Sequence, residues 1–468
     1  MQLKKLPPSR SFRNGLTLAA GALLGSGAAH ADGDWLVNMA VMSYNESDGR
    51  VQAVEPVLDL TNSYGDENTF NLRLVADTLT GASPNGAARA SKVQTFTSAS
   101  SFKLRTSSLQ TLTRSSGGSI FGVPANYEDD APRTYDVQSG DLPADPSFRD
   151  TRLAISMSDT KVLNTLSWTY GGAYSHEHDF ASYSLNSAVA KDFNDKNTTV
   201  SFGVNAEHDS SSPFGGIPVP LTSYFDAGRK GNSDSKSEVD AVLGFTQILS
   251  RRWFVQLNFS GSTASGYQND PYKILTLANN GNLEQDPNHD GQYLYLYESR
   301  PDSRRKSSVY LKNKIAVFDD DAVDLSYRHM TDDWGIKSDT VDFTYHWQMG
   351  EHAYLEPHYR YYKQTAADFY KPFLQIGPDA MVENGNITPS VKYASADPRL
   401  AAFGADTFGL KWGYHIGRDN EFSVRLEYYQ QHDNNALVAV PQGSNLDGYS
   451  QFAPLKAVWL QLGYSYRW

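Results

Sequence analysis

The sequence predicts an all-β fold: a transmembrane antiparallel up-and-down β-barrel of about 16 strands, within a range of 14–18. Three observations predict it. Apolar and polar residues alternate with period two in segment after segment. Long connections fall on one end of the predicted strand array. The chain keeps its alternation to its last residue, where soluble chains usually fray.

The N-terminus comes first. Lys4, Lys5, Arg10 and Arg13 form a basic start, residues 15–28 form a short apolar run, and Ala29-His30-Ala31 is a small-x-small site before Asp32. This is the order of a secretory signal peptide, so residues 1–31 are expected to be removed near Ala31. Residues 32–468 then form the exported protein. Beyond residue 31, no apolar stretch approaches the ~20 residues of a membrane helix, whereas a barrel strand needs only ~9–11 with one apolar face. Of the 468 residues, 12% are aromatic, including 28 Tyr, a type favoured at membrane interfaces. The formal net charge of -12 argues against a nucleic-acid partner. With no Cys, disulfides, thiolate metal sites, c-type haem attachment and a lipidated N-terminal Cys are excluded.

The strands follow from the alternation. Val200, Phe202 and Val204 alternate with Ser201, Gly203 and Asn205. Val341, Phe343, Tyr345 and Trp347 alternate with Asp342, Thr344 and His346. Phe408, Leu410, Trp412 and Tyr414 do so with Gly409, Lys411 and Gly413. Period two means a strand with one apolar face. The other face carries Gly, Ser, Asn and charges of both signs, as a crowded polar lumen requires. Sixteen such segments are predicted, near 34–45, 51–63, 69–77, 148–158, 162–174, 180–192, 198–209, 237–249, 252–265, 306–318, 321–331, 336–348, 353–364, 405–416, 421–431 and 456–468. The segment 292–299, "QYLYLYES", alternates well enough to be a further strand.

Connections sort by parity. One set is uniformly short and polar, such as "SDTK", "FDDD" and "GRDN". The other holds every long segment, about 78–147, 210–236, 266–305, 366–404 and 432–455. Outer-membrane barrels have short periplasmic turns and long outer loops. The loop 78–147 is expected to fold into the pore, lie over its mouth, or form a surface hairpin around Thr95–Leu112. A closed barrel also pairs its last strand with its first. Leu460, Tyr464, Tyr466 and Trp468 are therefore wall residues, and they resemble the C-terminal signal read by the barrel-insertion machinery. Outer-membrane lipid and lipopolysaccharide are the implied surroundings.

Two loop segments, "DTLTGASPNGA" at 77–87 and "YESRPDSR" at 297–304, resemble an uncharacterised family of bacterial outer-membrane β-barrel proteins, a domain of unknown function. "GGIPVPLTSYFD" at 215–226 and "NDPYKIL" at 269–275 fit the same pattern. The resemblance implies an outer-membrane barrel over nearly the whole chain and assigns no functional residue.

Candidate sites lie mainly in loops. Asp286, Asn288 and Asp290 precede Gly291 as D-x-N-x-D-G, the first half of a calcium loop, but position 12 is Tyr297 and not Glu. Calcium is the candidate ion there, against a solvated acidic turn. His176 and His178 share a face if extended, as metal ligands or as part of a wet turn. Arg300, Asp302, Arg304 and Arg305 would form either a lumen constriction or a network that pins a loop. Arg73, Lys312, Arg328, Arg360, Lys411 and Arg425 are expected inside the barrel with Glu207, Asp240, Asp324, Asp342, Glu356 and Glu427. No motif of a nucleophilic, zinc-dependent or phosphate-binding enzyme is present. The leading expectation is a porin-like channel for small polar solutes or ions, because sixteen strands leave room for an aqueous pore. The alternatives are a plugged barrel that serves as scaffold or sheath for a periplasmic or surface partner, including a redox protein, and an outer-membrane hydrolase.

Overall fold

A computed structural model describes residues 34–65, 67–99, 134–318, 320–383, 386–417, 420–436 and 438–467. The signal-peptide reading, residues 100–133 of the longest loop and Trp468 lie outside the described residues. Among the described residues, sixteen antiparallel strands form one closed barrel. They are β1 (Asp34–Glu46), β2 (Gln52–Tyr64), β3 (Asn68–Thr80), β4 (Arg149–Leu163), β5 (Leu166–His176), β6 (Phe180–Phe193), β7 (Thr198–Ser211) and β8 (Asp234–Ser250). The second half is β9 (Trp253–Gly266), β10 (Ser303–Ala316), β11 (Ala322–Asp332), β12 (Lys337–Met349), β13 (Ala353–Gln364), β14 (Phe403–Ile416), β15 (Asn420–Asp433) and β16 (Lys456–Arg467). Each predicted strand is present, but the turn expected at Ser158–Lys161 lies inside β4, and the chain reverses instead at Asn164 and Thr165. Several run further, as β4 does to Leu163, because the ladder continues beyond the stretch that alternates cleanly.

Closure is made by β1 and β16, in register from Leu36 opposite Arg467 to Glu46 opposite Ala457. No edge is left unpaired in the sheet. The wall is inverted relative to a soluble protein. Leu185, Val239, Phe259, Leu325, Trp347, Leu410 and Leu462 are exposed on its outside. Trp253, Trp347, Tyr414 and Tyr464 stand at the turn end of this surface, and Tyr174, Tyr183 and Tyr361 at the loop end, as two aromatic girdles. Inside, polar groups neutralise one another: Lys312 and Asp324 lie 2.8 Å apart, Arg152 and Asp77 2.7 Å, and Lys306 and Glu238 2.9 Å. Glycine has a steric role in this lining. A Cβ on Gly413 of β14 would fall on the ring of Tyr354 of β13, its register partner.

Seven short connections, such as 164–165 and 350–352, mark the turn end. The eight at the other end are L1 (47–51), L2 (81–148), L3 (177–179), L4 (212–233), L5 (267–302), L6 (333–336), L7 (365–402) and L8 (434–455). The buried apolar core of the described residues lies mainly in these loops. One cluster joins Phe96 and Val137 of L2, Ile274, Tyr293 and Tyr295 of L5, Phe373 of L7 and Leu446 of L8. A second joins Leu275, Leu277, Leu294 and Leu296 of L5 to Leu374, Ala394 and Ala396 of L7. Small sheets stiffen the assembly: Ile274–Thr276 pairs with Tyr295–Tyr297, and Gln94–Thr97 with Thr134–Val137. The segment 292–299 thus supplies a strand to the cap and none to the wall.

Candidate functional site: a capped barrel mouth

The loops cover the barrel because their apolar faces have each other to bury against. Leu275, Leu277, Leu296 and Leu374 are fully buried in this layer. The cap also reaches inside the rim. Tyr362, Phe403, Ala405 and Tyr429 on the inner wall pack with Ala401 and Phe452 of the loops. The described part of L2 joins the same layer, where Ile274 N of L5 donates to Asn85 O and Ala88 N donates to Thr276 Oγ1.

An ion network whose centre, Glu298, Arg300 and Asp397, is buried fastens L5 to L7. Arg300 lies 2.7 Å from Glu298 and 2.8 Å from Asp397, and Arg399 bonds Asp397 at 2.5 Å and Asp270 at 2.8 Å. Lys273 Nζ donates to Pro84 O at 2.7 Å, which ties in L2. Ser395 Oγ donates to Glu298 Oε2 at 2.5 Å. Three acids face three bases, so the cluster is self-neutral. Burial alone would raise Asp397, yet Arg399, Lys273 and Arg300 hold it far below the usual carboxylate range. Burial pushes Glu298 up, against the pull of Arg300.

The four residues read as either a constriction or a loop-pinning network do not converge; Arg300 alone joins a network that ties L5 to L7. Asp302 is exposed at the end of L5, where its carbonyl accepts from Gly266 N. Arg304 faces inward and pairs with Asp332 at 2.5 Å, with its guanidinium 4.5 Å from the Trp334 ring centroid. Arg305 is exposed, and its N–H donates to Asp333.

The calcium-loop residues take a different arrangement from the one their spacing suggested. Asn288 and Asp290 are exposed, whereas Asp286 is buried and accepts from Asn288 N and from His289 Nδ1 at 3.0 Å. Asp226, brought in by L4, completes a group of Asp226, Asp286 and His289 with potential ligand atoms within 4.8 Å of one another. Near His176 and His178 the acidic side chains meet instead: Asp150, Glu177 and Asp179 group together, and Tyr272 of L5 donates to Asp179. Burial, then the charge of Asp150, pushes Glu177 up to about 7.

Two cavities matter. At mid-height, a space of about 330 Å³ is lined only by wall residues of β10–β13, among them Lys312, Asp324, Arg328, Asp342 and Arg360. Within the loops, a cavity of about 500 Å³ opens where L2, L4 and L5 meet. Its walls include Phe96, Tyr135, Phe214, Tyr224, Tyr272 and Tyr297, with Arg229 at the rim. Of these seven, Tyr297 is noted in the sequence where a calcium loop would carry Glu, and Tyr224 and Tyr272 within the family-like segments; none is marked there as part of a cavity. The only available signal was the run "YFDAGRK" in a long loop, aromatic and basic together.

Strand closure, inverted surface, polar lumen and unequal ends define an outer-membrane-type β-barrel with a folded loop cap. The chain belongs to the family described as "Protein of unknown function (DUF3570)", whose model matches residues 13–466. Among curated proteins, none is a significant match. Solved structures to which the chain is similar include a "Bacterial polysaccharide outer membrane secretin", 8% identical over 93% of this chain and 98% of that one, with a TM-score of 0.41. The outer membrane protein opdK from Pseudomonas aeruginosa is 10% identical over 93% and 99%, TM-score 0.37. The ferric enterobactin receptor PfeA is 9% identical over 93% of this chain and 61% of its own length, TM-score 0.41.

Proposed function

We propose that the protein is an outer-membrane channel for small polar solutes or ions, closed at rest by its own extracellular loops. The observation that carries this reading is the mid-height cavity. It is lined by charged and polar wall residues, and no described loop residue lines it. Space of this kind beneath a cap suits a water-filled path with a separate gate. The cap supplies the gate, since its leucines are fully buried and opening must expose them to water. Paired charges of both signs along the lumen argue for weak selectivity between cations and anions. The short-turn end, where both described chain ends lie, faces the periplasm in this reading.

Planar-bilayer recording of the purified protein tests it. The expected record is mostly closed, with brief openings that become long once loop contacts are weakened. A barrel that stays silent in wild-type and cap-weakened forms alike would reject the channel and favour a closed scaffold.

A further inference from the structure

The cavity between L2, L4 and L5 has a chemistry that the proposed channel does not by itself explain. Its walls are rings. Phe96 and Tyr135 have centroids 5.6 Å apart, Phe96 and Tyr224 6.2 Å, and Tyr224 and Tyr297 5.5 Å. Such a box favours a flat apolar body that can lie against ring faces.

The polar groups of the cavity are unequally free. Its acceptors are occupied: Asp145 takes hydrogen bonds from Ser98 and from Ser147 N and Oγ, and Asp270 is bound to Arg399. Lys273, the second cation of the lining, is buried against Pro84 O and the ion network. The donors differ. Arg229 is exposed at the rim, its guanidinium 5.2 Å from the Tyr297 ring centroid and Nη2 3.3 Å from Tyr297 Oη. Among the described residues, no carboxylate forms a salt bridge with it. Tyr224 Oη accepts from Thr97 N at 2.8 Å and Tyr135 Oη accepts from Asn85 Nδ2 at 3.1 Å. Each phenol therefore keeps its own O–H to give. A guanidinium over a ring, in one lining with two phenolic donors, suits the two oxygens of a carboxylate.

Gly215 and Gly216 place Arg229 there. Both have positive φ, +75° and +82°. A Cβ on Gly216 would lie 2.6 Å from Gly231 O, across the short pairing that joins Ile217–Pro218 to Arg229–Gly231.

We propose that this cavity binds a small organic anion bearing an aromatic ring, with the ring lying against Tyr224 and Tyr297 and the carboxylate on Arg229. The assignment of this anion as the transported solute rests on the channel reading; its binding does not.

The test uses the full-length protein in detergent micelles. Titration calorimetry is run with 1-naphthoate, with 1-naphthylmethylamine as the cation of the same shape, and with hexanoate as an anion without a ring. Naphthoate is expected to bind, and Arg229→Gln to weaken it roughly tenfold to a hundredfold, the loss of one charge-assisted pair. Tyr224→Phe, which keeps the ring, should cost a smaller factor. Heat-modifiable migration of each variant shows that its barrel is intact. Equal affinity for amine and naphthoate, equal affinity for hexanoate, an unaffected Arg229→Gln variant, or no binding of naphthoate would each overturn the proposal. Binding without conductance would reject the channel and leave the site standing. Conductance without binding would do the reverse.

Discussion

Arg300 offers the sharpest perturbation. Its side chain is 10% exposed, and those of Glu298 and Asp397 are each 1% exposed. Replacing it by Met removes one of three bases and leaves two buried carboxylates short of a partner. Breaking a buried pair from one side costs about 3–5 kcal/mol, and each 1.4 kcal/mol is a factor of ten. The ratio of closed to open cap should therefore fall by about two to three and a half orders of magnitude. The wall should be untouched, because the network lies in L5 and L7. Two assays follow. Limited proteolysis should cut L5 or L7 in Arg300→Met and leave wild type whole, and bilayer recording should show longer openings. Adding Glu298→Gln removes one stranded charge and should recover part of the loss, a coupling that a double-mutant cycle measures. An Arg300→Met protein with wild-type protease resistance and conductance would refute the idea that this network holds the cap down.

Other outcomes test other parts. Leu296→Ala, at a fully buried position in the cap, should cost about 2–5 kcal/mol of cap stability and expose L5 to protease without altering heat-modifiable migration of the barrel. Gly413→Ala should reduce the yield of folded barrel, since the new Cβ collides with the Tyr354 ring and threatens its 2.6 Å bond to Glu421; removing the ring as well, in Gly413→Ala/Tyr354→Ala, should restore yield relative to Gly413→Ala alone. Glu177 is held near 7, above its ordinary 4.5, so the neutral form is favoured when L3 is folded. Its stabilising contribution is full below about pH 4.5 and lost as pH rises through about 7, by no more than about 1–2 kcal/mol after solvent screening. Exchange of the amides around Glu177, corrected for intrinsic rate, should accelerate between pH 5 and pH 8 (roughly the window of that loss), and Glu177→Gln should flatten the change.

The wall was legible in the sequence because lipid and lumen impose opposite demands on successive residues. Most wall strands carry that signal, as at Val200–Val204, Val341–Trp347 and Phe408–Tyr414, whereas β1 is apolar at successive positions from Trp35 to Val37, and loop lengths sorted by parity supplied the orientation. The cap was not legible for the same physical reason. Ile274–Ala278 and Tyr293–Tyr297 are buried on both faces, so alternation disappears or misleads, as in "QYLYLYES". Sites built across loops were equally hidden. Spacing drew attention to Asp286, Asn288 and Asp290, but the fold groups Asp286 with His289 and with Asp226 from sixty residues earlier. Arg300 was marked as charged and important without its partners, because Asp397 and Arg399 lie in a different loop. Inward charges fared better. Lys312, Asp324, Asp342 and Arg360 line the lumen as their positions in the alternation required.

That the loops form one folded lid over the barrel is tested most directly by native-state hydrogen exchange, followed by mass spectrometry, on peptides covering 274–278 and 294–298. Protection comparable to that of the wall strands β9 and β10 is the predicted result, with loss of protection in all five long loops together when Leu296 is truncated. Exchange of these L5 amides at the rate of unstructured peptides, beside a fully protected wall, would contradict it.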